Sequence, residues 1–391
     1  MKKLTWLLFL LVLAGCRQAQ SPPPRAIGNG AEPPITRPGP VERTPFHARG
    51  LYATGWSAGS SAALARLVGI IDRTELNAIV IDIKDGKVSY HVDVPLAYEA
   101  HAVPPMIADI DEVMQLLREH DIYPIARIVV FRDSEVAKAR PDLAVQNPDG
   151  SVWVDRGGYA WLNPYNKRTW EYNVAIAKDA VKRGFKEIQF DYVRTPSEGR
   201  VSEIVFPGEE EYEGENPITD FVQYATAELK PLGAWVSVDI FGLTSSVNHD
   251  MGIRQILDAV AKHADLVCPM LYPSHYAKPE LGLRDPELAP YEIVTKSLSA
   301  GLERLHGSDC RIRPWLQDFS RHSTYGPEQV LSQIRAVKDL GIDEYLIWNP
   351  RNRYTEEAML KAADLEVGKR LDSPEPARES EGAAGSGTGG M

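Results

Sequence analysis

The sequence predicts a single (β/α)8 barrel of the α/β class, and three observations carry that prediction. Eight short runs rich in β-branched and aromatic residues recur along it, and a longer segment with a helical pattern follows each run. The loop after the first run, Gly55-Trp56-Ser57-Ala58-Gly59, lacks the glycine-rich phosphate turn that a doubly wound open sheet normally carries there. In order, the strand runs occupy residues 50–54, 78–84, 123–131, 187–194, 235–241, 266–272, 312–319 and 345–349. They are too short for helices, and their β-branched and aromatic content suits a pleated, half-buried surface. The helical patterns fall at 61–73, 110–120, 169–183, 219–229, 253–263, 290–305 and 327–340, with 356–365 after the last run.

This body, residues 46–367, lies between two segments that need no fold. Residues 17–45 are dense in proline and poor in large apolar side chains, so they form a spacer that cannot offset its ordering entropy by burial. Residues 368–391 run through Ser-Pro-Glu-Pro into Gly-Ser-Gly-Thr-Gly-Gly, a low-complexity tail. Residues 1–16 open with Lys2 and Lys3, continue with an apolar run from Leu4 to Leu13, and end in Leu13-Ala14-Gly15-Cys16. That run is shorter than the roughly 20 residues a membrane span needs, and its basic start and small-residue end are those of a secretory signal. It resembles the bacterial lipoprotein pattern, which implies cleavage before Cys16, a lipid anchor on Cys16, and a place in the cell envelope outside the cytoplasm. Arg17 follows the cysteine, so the aspartate signal for inner-membrane retention is not there.

The formal net charge is −11 and no block of lysine and arginine recurs, which argues against nucleic acid and against a polybasic membrane contact. An uncharged or cationic partner suits such a surface. Cys268 and Cys310 each sit in or beside an apolar strand-like run and read as two buried thiols. No His, Cys and carboxylate spacing matches a dedicated metal site, and no motif calls for a cofactor.

In a barrel, function sits at the carboxyl ends of the strands. Period-two alternation in Gln189-Phe190-Asp191-Tyr192 and Ser237-Val238-Asp239-Ile240 turns the apolar neighbours outward and both aspartates into the lumen. Adjacent parallel strands lie about 4.8 Å apart. A carboxylate separation of about 5 to 5.5 Å, that of retaining glycosidases, is therefore accessible. The same alternation turns Asp82, Lys84 and Arg127 inward, and later strand ends add Tyr272, Trp315 with Gln317, and Trp348 or Asn349 depending on register. Trp56, Tyr192, Arg194 and His275 lie at or just beyond strand ends and complete the candidate substrate-binding ring. Charged side chains and indoles around one opening are what sugar recognition needs, because hydroxyls take polar partners and pyranose faces stack on rings. Other features read as structural: Trp153, Trp161 and Trp170 as packing, Asp250 as a helix N-cap, and Glu209 to Glu215 as a solvated acidic loop. Asp82 reads equally well as a member of an ion cluster with Arg127 or Lys84.

Three motifs carry a family resemblance: Phe190-Asp191-Tyr192-Val193-Arg194, Val236-Ser237-Val238-Asp239-Ile240-Phe241-Gly242, and Pro269-Met270-Leu271-Tyr272-Pro273-Ser274-His275-Tyr276. On these the chain resembles the glycoside hydrolase family catalogued as domain of unknown function 4015, over residues 46–367. Arg49-Gly50-Leu51-Tyr52 and Trp161-Leu162-Asn163-Pro164 are similar to segments of amylase-like barrels. Thr195 stands where the family pattern commonly has an apolar aromatic residue. The resemblance implies a glycosidase-like barrel acting on a carbohydrate, with Asp191 as nucleophile and Asp239 as acid/base. Those enzymes generally use glutamate as the acid, one methylene longer than Asp239. The residues alone leave open which aspartate holds which role, which glycan is taken, and the oligomeric state. They also leave open a non-catalytic carbohydrate-binding lipoprotein on the same barrel.

Overall fold

The structure is a computed structural model and describes residues 43–367. Cys16, the spacer up to Glu42 and the tail from Gly368 lie outside the described residues. Eight parallel strands close on themselves: β1 (Arg49–Ala53), β2 (Ala78–Asp85), β3 (Tyr123–Val129), β4 (Glu187–Asp191), β5 (Trp235–Phe241), β6 (Leu266–Leu271), β7 (Trp315–Gln317) and β8 (Tyr345–Trp348). Each pairs with the next in sequence, and β1 pairs with both β2 and β8, which joins Gly50 to Ala78 on one side and Arg49 to Tyr345 on the other. A barrel helix follows each strand: α1 (Ser61–Arg73), α2 (Ile110–Glu119), α3 (Lys167–Arg183), α4 (Pro217–Leu229), α5 (Leu257–Ala261), α6 (Pro290–Arg304), α7 (Pro327–Asp339) and α8 (Glu356–Ala362), with further short helices at Gly55–Ala58, Pro95–Glu99 and Ser134–Ala139. The predicted (β/α)8 barrel is therefore the observed fold.

Alternation along the strands builds two separate cores. Val80, Ile125, Leu266, Cys268 and Leu346 pack inside the barrel, whereas their neighbours Ile79, Ile81, Ala126, Val267 and Ile347 pack outward beneath the helices. Cys268 and Cys310 are buried and unpaired. Trp153, Trp161 and Trp170 are buried in the outer core, as their sequence context predicts. Low in the barrel, Arg313 forks onto both oxygens of Glu187, which also accepts a hydrogen bond from Ser237 Oγ at 2.5 Å. The two bonds to Glu187 offset the burial of this charge pair, although Arg313 Nε has no hydrogen-bond partner among the described residues.

Three elements depart from their predicted bounds, each for a local reason. β4 stops at Asp191 because Tyr192 takes a left-handed backbone, φ 52°. β7 is preceded by a separate two-residue strand, Arg311–Ile312; Pro314, which has no N–H for the ladder, lies between the two pieces. The fifth helix pattern loses its first turn: Asp250 accepts hydrogen bonds from the backbone of Gly252 and Arg254 at 3.0 and 3.1 Å and closes a tight turn, so α5 starts only at Leu257. Asp250 is thus a turn former rather than the N-cap of a helix.

Candidate active site

The floor of the site is one guanidinium surrounded by three carboxylates. Arg127 on β3 faces Asp82 on β2 and Asp191 on β4, because the register sets Asp82 beside Arg127 and carries Asp191 one step higher, beside Val129. Arg127 Nη1 donates to Asp82 Oδ1 at 2.6 Å, while Nε at 3.1 Å and also Nη2 donate to Asp191 Oδ2. Asp239 on β5 brings Oδ2 to 4.0 Å from the same Nε. Since Nε lies 3.1 Å from Asp191 Oδ2 and 4.0 Å from Asp239 Oδ2, those two oxygens are at most about 7 Å apart. All four side chains are nearly solvent-free.

The two upper carboxylates have unlike surroundings. Asp191 takes two bonds from Arg127 and a third from the Tyr192 N–H at 2.6 Å to Oδ1. The left-handed Tyr192 backbone aims that N–H, and such strain is characteristic of functional sites. Asp239 receives one neutral donor, Trp315 Nε1, at 2.8 Å. Burial, and then the Asp191 charge, push the Asp239 carboxyl well above the usual carboxylate range. Asp82 is pushed up to about 6, mainly by burial, with Arg127 opposing. Tyr52 donates its hydroxyl to Asp82.

Above the floor opens a cavity of about 790 Å³ lined by Asp191, Asp239, Arg127, Tyr272, Trp315 and Trp348, with Tyr192 and Arg194 on one wall and His275 at the rim. The sequence reasoning therefore brings nine of its site residues onto this one surface. The eighth strand resolves the register question in favour of Trp348, which turns into the barrel and stacks on Tyr52 with ring centres 3.8 Å apart. Asn349 is buried and bonds the backbone of Asp318 and Arg353 instead.

Four predicted contacts lie elsewhere. Asp82 is not on the cavity surface; it sits beneath Arg127 and holds it. Lys84 points the wrong way, because a bulge between Asp82 and Lys84 shifts the register so that Lys84 pairs with Ile128. It lies fully buried beneath α3, bonded to Asp133 and Val129 O at 2.8 and 2.6 Å and 5.3 Å from the Tyr172 ring. Gln317 is also fully buried, with Oε1 accepting from Ser274 N–H and Nε2 donating to Phe319 O, so it fixes loops rather than facing the cavity. Trp56 stands 63% exposed on the short helix after β1, away from the cavity lining.

Other lining residues escaped the sequence reading. Phe241 and Met270 follow Asp239 and Cys268 by two positions, so the same alternation could have found them. Glu198, Glu280 and Arg321 come from strand-to-helix loops, where no periodic signal exists.

Residues 50–354 match the family described as "Putative glycosyl hydrolase domain", domain of unknown function 4015. The chain belongs to this family. Membership covers all eight strands and the whole cavity floor, so the resemblance carried by the fourth-, fifth- and sixth-strand motifs is confirmed across the barrel. No curated protein matches the chain. Among solved structures, the PgaB (BpsB) glycoside hydrolase domain from Bordetella bronchiseptica is 13% identical, with a TM-score of 0.55 over 80% of this chain and 99% of that one. The cycloalternan-degrading enzyme from Trueperella pyogenes is 11% identical, with a TM-score of 0.51 over 84% and 47%. A hypothetical protein from Ruminiclostridium thermocellum ATCC 27405 is 38% identical, with a TM-score of 0.44 over 48% and 96%. The first two likenesses, at such low identity, concern the barrel itself.

Proposed function

We propose that this family member is a glycoside hydrolase that cleaves a polysaccharide or oligosaccharide outside the cytoplasm by a two-carboxylate retaining mechanism. Asp191 would attack the anomeric carbon as the leaving oxygen takes a proton from Asp239. Water, deprotonated by Asp239, would then release the sugar from Asp191. One observation carries this reading: two carboxylates on neighbouring strand ends share one cavity floor but differ in environment, Asp191 held as an acceptor by Arg127 and Asp239 pushed toward the protonated form. Catalysis needs that split, since one group must be ionised while the other keeps a proton to give. Trp348, Trp315 and Tyr272 supply aromatic surface above them.

The test is hydrolysis of a panel of polysaccharides by the purified body, scored as new reducing ends, with the first-formed anomer read by NMR. Retention is expected. Inverted product would replace the nucleophile with an activated water, which needs carboxylates about 6.5 to 9.5 Å apart.

Lipidation at Cys16 would place the enzyme in the bacterial envelope, and among the described residues no helix is long and apolar enough to cross a membrane. Cys16→Ala should therefore release the protein into the soluble fraction. Membrane association of that variant after a high-salt wash would require another anchor.

A further inference from the structure

Three arginines are buried in this barrel, and two of them have carboxylate partners: Arg127 with Asp82 and Asp191, and Arg313 with Glu187. The third, Arg194, is 8% exposed and lines the cavity, yet among the described residues it makes hydrogen bonds only to Thr195 O at 2.9 Å and Ser197 Oγ at 3.3 Å. Both come from Nη1. Nε and Nη2 have no hydrogen-bond partner among the described residues, and these two N–H groups share one edge of the guanidinium. Their parallel spacing is the one that receives both oxygens of a carboxylate.

The surroundings fix that edge in place. The guanidinium carbon lies 4.9, 5.0 and 4.6 Å from the ring centres of Trp161, Tyr192 and Phe241, which hold it by cation–π contact. Burial holds the group below the usual arginine value even though the Asp191 and Glu198 charges act the other way, so a cation with no carboxylate bonded to it is kept in a poorly solvated place. Glu198, on the same loop, also lines the cavity but is exposed and makes no bond to Arg194.

We infer that Arg194 is a subsite for a carboxylate carried by the substrate, so that the cavity takes an acidic glycan in preference to its neutral counterpart. This rests on the glycoside hydrolase reading and narrows its substrate class. The carboxylate could belong to a uronate unit or to a carboxylated ether substituent; either offers the same two oxygens. The net charge of −11 disfavours anionic polymers only at long range, where salt screens it over about 10 Å at 0.1 M, whereas the Arg194 edge acts at contact.

The test is equilibrium calorimetry on the full chain carrying Asp191→Asn, so that binding is read without cleavage. The probes are an oligouronide, its carboxyl-reduced form, and an oligosaccharide with a carboxylated ether beside its unsubstituted form. One acidic probe should bind on the order of ten- to a hundredfold tighter than its neutral match, as for a hydrogen-bonded charge pair, and the pair that shows this names the source. Arg194→Met should erase the preference, and Arg194→Lys, which keeps the charge but not the fork, should retain part of it. Equal binding of acidic and neutral probes, which needs no Arg194 variant to observe, would overturn the inference, as would a preference that survives Arg194→Met. Acidic preference without any cleavage by the wild type would instead count against the hydrolase reading alone.

Discussion

Asp191→Asn lowers turnover by about 10⁴-fold or more while far-ultraviolet circular dichroism stays that of the native barrel. The size follows from the role, since an amide of the same shape can accept the Tyr192 N–H but cannot form the covalent glycosyl ester, and loss of a nucleophile typically costs this much. Added azide should restore part of the activity. It would occupy the space left by the carboxylate, form the C1–N bond as the leaving group departs, and give a glycosyl azide of inverted configuration from that single displacement. Asp239→Asn should behave differently. It loses the proton donor, so activity survives on substrates whose leaving group departs unprotonated, and azide then gives a product of retained configuration. Wild-type turnover in Asp191→Asn would remove Asp191 from the chemistry. The opposite pattern of rescue would exchange the two roles that the Arg127 and Trp315 contacts point to.

Much of this site is legible in the chain, because a barrel strand obeys a period of two. Once the eight strands are recognised, Asp191, Asp239 and Arg127 must share the lumen, and Trp348 joins them one strand from closure. What defeats the reading is any departure from that period. The bulge after Asp82 adds one residue, and one residue is enough to send Lys84 from the lumen to the helix layer. Trp56 and Gln317 fail for another reason. Proximity to a strand end does not say whether a loop side chain turns toward the axis, to solvent, or into its neighbours. Arg194 is the instructive middle case: the family motif flags it, but its bareness is visible only once Trp161 and Phe241, distant in sequence, are seen beside it.

Arg127→Met should cost about 3 to 5 kcal/mol of stability at pH 7.5, the loss expected when one partner of a buried ionic cluster is removed and the charges it served are left behind. The pH dependence is the discriminating part. Arg127 opposes the upward push on Asp82 and Asp239, so taking it away moves both carboxyls further above their ordinary value of about 4. A carboxyl raised in the folded state holds protons that the unfolded chain has already lost. Stability therefore falls as pH climbs from the unfolded value through the folded one, and this deficit vanishes at lower pH, where both states are protonated. Urea denaturation of wild type and variant at pH 7.5 and again near pH 4 should show the gap narrowing on acidification. Adding Asp82→Asn should recover part of the loss at pH 7.5, because it removes one stranded charge and leaves an amide that can still accept the Tyr52 hydroxyl. A loss under about 1 kcal/mol, or one that is the same at both pH values, would mean that the floor is held by packing and that Arg127 does not organise the three carboxylates.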